Sequence, residues 1–212
     1  MTDKTKTHTQ YRLKSGTLVP GVTTVLNLLD KPAIHFWIAK VTKEGHDWTK
    51  MRDQAADIGS LTHYLILCDL KNIKPDTSDY AQADIDKAQN AMKSYYAWRK
   101  MNDVIPIEVE SSSVSEKFGF GGTFDLYASV NGISTLIDFK TSGALYADYN
   151  TQIGAYFQLL RENKGVIAVG KLIRITKGDN SDFEVKTIEQ IEKQWELFKH
   201  LLRVYNLKKE LE

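Results

Sequence analysis

At 212 residues, 42% of them hydrophobic and 26% charged, the chain can bury one substantial core and is not composed like a disordered segment. A formal net charge of +1 removes any argument from bulk basicity for nucleic acid, although the carboxylates of a site hide a local basic surface when charges are summed. One cysteine, Cys68, excludes an internal disulfide framework and a multi-cysteine zinc site, and no apolar run approaches the roughly 18–20 residues of a bilayer span.

Residues 1–10, MTDKTKTHTQ, read as a flexible polar tail without the apolar stretch of a secretory signal, so a reducing, cytoplasmic setting is expected. Residues 11–212 read as one domain, mostly helical over 11–103 and bearing the core sheet over 104–212. Tyr11 to Val19 suits a short hairpin around Lys14-Ser15-Gly16, closed by Pro20-Gly21. Helices are predicted over Val22–Leu29, Ile34–Lys43 and Trp48–Leu70, separated by Asp30-Lys31-Pro32 and Gly45-His46-Asp47. After a polar loop containing Pro75, Ser78 or Asp79 can cap a helix that runs to about Met101.

The period then changes. Ile105–Val114, Thr123–Val130 and Ile133–Lys140 alternate as strands do. A helix over Tyr149–Asn163, strands near Val166–Thr176 and Phe183–Thr187, and a last helix over Ile188–Leu207 follow. This order implies an α/β (α+β) fold in which helices flank a central mixed β-sheet.

Asn131-Gly132 is a strong type I′ turn signal, because both positions must tolerate positive φ. With that turn Val130 faces Ile133, Asp125 falls opposite Asp138, and Thr123 opposite Lys140. One face then carries Phe124, Leu126, Ala128, Val130, Ile133, Thr135, Ile137 and Phe139, an apolar surface. The other carries Asp125, Tyr127, Ser129, Ser134, Leu136, Asp138 and Lys140. Facing carboxylates about 5 Å apart repel, and a divalent cation with oxygen ligands, Mg²⁺ or Mn²⁺, relieves that cost. Lys140 on the same face suits phosphodiester hydrolysis, where an ammonium offsets developing negative charge. On the hairpin alone, an ordinary charged solvent face with Lys140 neutralising the pair is an equal reading.

Four segments resemble the PD-(D/E)XK nuclease superfamily: Gly121-Gly122-Thr123-Phe124-Asp125, Ile137-Asp138-Phe139-Lys140-Thr141, Gln152-Ile-Gly-Ala-Tyr156 and, more weakly and upstream of these, Gly59-Ser60-Leu61-Thr62-His63. The likeness is to the RecB-like branch, which includes phage exonucleases and the mitochondrial genome maintenance exonuclease. It runs over about Glu108 to Leu160 and implies a restriction-endonuclease-like core with an N-terminal helical elaboration. The resemblance implies Asp125 and Asp138 as metal ligands, with the Phe139 backbone carbonyl as a further one and His63 completing the shell of one or two Mg²⁺ or Mn²⁺ ions. Lys140 becomes the catalytic lysine, and Gln152 and Tyr156 position the site and the nucleic acid. Asp138 stands where Glu is commoner, and Phe124-Asp125 replaces the literal Pro-Asp dipeptide.

Several residues keep two readings. His63 sits in an apolar helical stretch and suits a hydrogen-bonded structural role as well as a ligand's. Gln152 and Tyr156 share a helix face at i, i+4, so Tyr156 can simply pack on the sheet. Glu110 on the strand before the hairpin is a further candidate carboxylate, with Glu116 a weaker one; both suit a plain surface. Gly119, Gly121 and Gly122 either admit a nucleic-acid backbone or form a turn or bulge. Thr141-Ser142-Gly143 can bond phosphate or cap a helix. Aromatic and basic residues alternate at Trp37/Lys40/Lys43, Trp48/Lys50/Arg52 and Tyr95/Tyr96/Trp98/Arg99/Lys100, which suits base stacking or a core. His8, His35, His46 and His200 have no such context.

The expected activity is metal-dependent exonucleolytic hydrolysis of DNA from a free end, in recombination, repair or replication. A helicase or single-strand annealing protein is the expected partner, and a phage or prophage the expected source. A structure-specific endonuclease with the same site and a silent nucleic-acid-binding module are the alternatives; the complete Asp-Asp-Lys set argues against the second.

Overall fold

A computed structural model describes residues 9–177 and 182–212. The greater part of the expected tail therefore lies outside the described residues. Two short strands, β1 (Tyr11–Arg12) and β2 (Leu18–Val19), pair antiparallel around Gly16, whose φ of +87° needs a glycine. Helix α1 (Val22–Leu26) ends earlier than its apolar pattern suggests, because Leu28 and Leu29 turn back to the carbonyls of Val25 and Leu26 in tighter i to i+3 bonds.

Helix α2 (Pro32–Lys43) starts on proline, and α3 (Trp48–Leu70) is capped by Asp47, which accepts from the amides of Thr49 and Lys50. Helix α4 (Gln82–Lys100) begins later than the caps at Ser78 or Asp79 would place it. Ser78 donates its amide to the Asp76 carboxylate and Tyr80 its amide to Thr77, so those residues build a turn instead. Strands β3 (Val104–Ser115), β4 (Phe120–Val130) and β5 (Ile133–Lys140), helix α5 (Ala147–Lys164), strands β6 (Val169–Ile175) and β7 (Phe183–Thr187) and helix α6 (Ile191–Leu211) complete the chain. Helix α5 stops at Gly165, whose φ of +66° is the left-handed cap conformation. Helix α6 begins three residues later than expected, since Ile188 donates its amide to Gly170 and prolongs the sheet edge.

The sheet is mixed and flanked by helices, in the order β3-β4-β5-β6-β7 with only β5 and β6 parallel. The β4–β5 register is the one Asn131-Gly132 dictates: Val130 pairs with Ile133, and Asn131 and Gly132 have φ of +51° and +79°. Both faces are covered. One packs on α1, α5 and α6 through Phe120, Tyr127, Leu136, Leu172, Trp195 and Phe198. The other packs on α3 and α4 through Leu126, Ala128, Val130, Ile137, Phe139 and Ile173.

Three expectations need correction. The face that carries Tyr127 and Leu136 is not a solvent face, because α5 lies across it. Phe124 leaves the company of Leu126 and packs edge-on to Tyr156 in the other cluster, at 6.5 Å between centroids. Thr123 does not pair with Lys140; the β4–β5 ladder ends at Leu126 and Ile137, and Thr123 Oγ1 instead bonds Ser112 Oγ and the Tyr11 hydroxyl. The break coincides with Glu110, which sits opposite Asp125 at a φ of +54° and interrupts the pairing of β3 with β4.

Candidate active site

Where the ladder stops, side chains take over. Asp125 Oδ2 accepts the Phe139 backbone N–H at 2.8 Å, a bond across β4 and β5 made by a carboxylate where a carbonyl would otherwise serve. Phe139 is fully buried, edge-on to Tyr95 at 5.8 Å and to Trp98 at 5.6 Å. Burying an aromatic ring among others contributes on the order of 2–3 kcal/mol, so this residue is a firm anchor. Because strand side chains alternate, an anchored Phe139 turns Asp138 and Lys140 to the opposite face, toward α5.

There Lys140 is held from three sides. Its ammonium lies 2.5 Å from Asp138 Oδ2, donates to Gln152 Oε1 at 2.7 Å, and sits 4.4 Å from the centre of the Tyr149 ring. Gln152 in turn donates from Nε2 to the Tyr156 hydroxyl at 2.9 Å. The i, i+4 spacing on α5 is what lets one amide serve both partners. From α3, on the far side of the cleft, His63 brings Nδ1 to 3.6 Å from Asp125 Oδ2. His63, Asp125, Asp138, Lys140, Gln152 and Tyr156 line one cleft of about 320 Å³ together with Ala55, Ala56, Gly59, Ser60 and Thr141.

Asp138 is 3% exposed. Burial raises its pKa to about 6, Asp125 pushes the same way, and the opposing pull of Lys140 only partly compensates. Burial pulls the Lys140 pKa down, but the Asp138 carboxylate outweighs it and the net shift is upward. Lys140 is therefore an ammonium at neutral pH, a donor and not a base. Burial, with Asp138 nearby, raises Tyr156 well above the usual phenol range, which keeps its proton in place.

Asp138 Oδ2 is a buried oxygen whose one close neighbour is the Lys140 ammonium, set off the ideal hydrogen-bond direction. Among the described residues no three His, Cys, Asp or Glu side chains converge into a ready-made metal shell. The chemistry of the donors nonetheless fits a hard cation: two carboxylates close enough to perturb one another, one with an under-coordinated oxygen. Phe139 does not line the cleft and reaches the site only through its N–H to Asp125.

Other sequence candidates lie elsewhere. Glu110 is exposed and its Oε2 meets Lys71 Nζ at 3.3 Å, outside the cleft. Glu116 accepts the Lys14 amide. A Cβ on Gly121 would strike the Tyr11 side chain at 2.3–2.5 Å, and one on Gly122 would meet Tyr156 at 2.7 Å and Val22 at 3.0 Å. Those glycines make room for packing, not for a ligand. Tyr95 and Trp98 are core, while Arg52 lies over the Trp48 ring at 5.3 Å on α3. Ser142 bonds the Ala144 carbonyl and α5 begins after Tyr146, so Thr141-Ser142-Gly143 caps no helix. Sequence reasoning missed Tyr149; its place three residues before Gln152 on the same helix was the signal that could have found it.

No known family profile and no curated protein matches the chain by sequence. Solved structures do resemble it. A candidate exonuclease from Eubacterium rectale superposes with a TM-score of 0.50 at 15% identity, over 70% of this chain and 68% of that one. An alkaline exonuclease from Laribacter hongkongensis covers 74% of this chain and 90% of its own, at 15% identity and a TM-score of 0.33; the same enzyme in complex with dAMP gives 16% identity and a TM-score of 0.33. At 15% identity the likeness to the E. rectale protein is one of fold. Among the described residues, no helix is long and apolar enough to cross a membrane.

Proposed function

We propose that this protein is a metal-dependent nuclease that hydrolyses phosphodiester bonds in DNA and works inward from a free end. The observation that carries the reading is the arrangement in one cleft of Asp125, Asp138, Lys140, Gln152 and Tyr156, with His63 facing them from α3. A solvent face would keep two such carboxylates hydrated and their repulsion screened; here one is buried beside the other. The fold likeness to the candidate exonuclease of E. rectale supports the same reading.

Asp125 and Asp138 would hold a Mg²⁺ or Mn²⁺ ion, with His63 and the Phe139 carbonyl as the further ligands that the family resemblance implies. When bound, such a cation polarises a phosphoryl oxygen and lowers the pKa of an attacking water. Lys140 presents a fixed ammonium to the negative charge that develops on the phosphate. Gln152 and Tyr156 hold that ammonium in place, and Tyr149 covers it. The test is cleavage of DNA by wild type and Lys140→Ala in Mg²⁺, Mn²⁺ or EDTA. The reading expects chelation and the substitution each to abolish cleavage of a folded protein. Activity that survives both rules it out. A closed circular single strand beside a linear one checks the end requirement, since an end-dependent enzyme spares the circle.

A further inference from the structure

The cleft has a second cation at its rim that the mechanism above does not use. Lys177, just past the end of β6, reaches across to α3 and donates from Nζ to the Ala55 carbonyl at 3.0 Å. Ala55 lines the cleft, and so does Gly59 one turn further on. A Cβ at Gly59 would lie 2.8 Å from Thr141 Oγ1 and 3.9 Å from Lys177 Nζ. The hydroxyl and the ammonium thus approach the same point of α3 from just past the ends of β5 and β6, and the hydroxyl stands where a side chain at Gly59 would crowd it.

We infer that Lys177 and Thr141, brought together over Gly59, form a subsite for a backbone phosphate of the nucleic acid next to the one at Lys140. The inference rests on the nuclease reading and adds to it where the strand runs. Two groups 2.8 and 3.9 Å from one Cβ position lie close enough together to share a single phosphate through hydrogen bonds of about 2.8–3.0 Å. Thr141 follows Lys140 directly, so the phosphate held there neighbours the scissile one. The bond to Ala55 takes one of the three N–H donors of the Lys177 ammonium, and the others can serve an anion. Partial burial lowers its pKa, the mark of an ammonium that has already lost part of its hydration and has less to lose on meeting a phosphate. A strap tying β6 to α3 would need only the bond to Ala55; it gives no reason for a hydroxyl at the same point.

The test uses the full chain carrying Lys140→Ala, in Mg²⁺, with a fluorescein-labelled single-stranded oligodeoxynucleotide followed by anisotropy from 50 to 200 mM NaCl. Adding Lys177→Gln should weaken binding about tenfold at low salt and lower the slope of log K against log salt by roughly 0.7, one phosphate's worth on a single strand. Lys177→Arg should restore the slope. Thr141→Val should weaken binding and leave the slope alone, since it removes no charge. An unchanged slope in Lys177→Gln, whatever its thermal stability, overturns the subsite, as does a parent that binds no oligonucleotide. Cleavage by the wild type, measured alongside, reports on the nuclease reading alone: cleavage with an unchanged slope sinks only the subsite.

Discussion

Gln152 faces Lys140 with its oxygen because its nitrogen is committed to Tyr156. The two bonds, 2.7 Å from Lys140 Nζ to Oε1 and 2.9 Å from Nε2 to the Tyr156 hydroxyl, fix which way the amide points. A residue that reads as a member of a motif is, physically, an orienting device for a buried ammonium.

Removing that device should show in the rate. A hydrogen bond to a charged group is worth about 1.5–3 kcal/mol, so Gln152→Leu is expected to lower kcat by roughly 10- to 100-fold. KM should change little if the amide touches only Lys140. Tyr156→Phe removes the partner one step back and should cost less, about 3- to 10-fold. Equal losses in KM alone would place Gln152 on the substrate instead.

The raised pKa of Asp138 sets a pH window. Its folded value of about 6 exceeds the ordinary 3.8, so folding favours the protonated acid. That contribution is fully present below about pH 4 and is lost as pH rises through about 6. In EDTA, wild-type stability should therefore fall across this window by on the order of 2–3 kcal/mol, and Asp138→Asn should not show the fall. Cation affinity should move the opposite way and rise with pH through the same range, because the ion competes with the proton. Denaturant titrations at pH 4, 5, 6 and 7 and calorimetry with Mn²⁺ check both signs.

Helix α5 meets α6 at Gly154, where an added Cβ would stand 2.6 Å from backbone atoms of Gln194 and Trp195. Backbone cannot swing aside as a side chain does. Gly154→Ala is expected to cost about 1–3 kcal/mol and to lower Tm by several degrees. The clash at Gly122 falls on the rim of the Tyr156 ring and on methyl groups of Val22 and Leu159. Gly122→Ala should thus be milder in stability and yet reduce activity, since Tyr156 supports Gln152.

Much of this was legible before any fold. Asn131-Gly132 set the register of β4 and β5, and alternation from it put Asp138 and Lys140 on one face with Phe139 on the other. What alternation did not carry was the break near Asp125. A run of good strand residues gives no sign that Glu110 adopts positive φ or that Phe124 crosses to the α5 side. The glycines before Asp125 left open a ligand's approach or a turn, and neither showed their packing role, because Tyr11 lies 110 positions away from Gly121 and makes no local pattern with it. Lys177 escaped for the same reason: its partners come from α3 and from the end of β5, and only the folded chain brings them together.

Anomalous scattering from a crystal soaked in manganese tests the central claim most directly. The account predicts an ion between the carboxylates of Asp125 and Asp138, with the Lys140 ammonium close by, and its loss in Asp138→Asn. A well-ordered cleft without manganese, or an ion that stays when Asp138 becomes Asn, would contradict it.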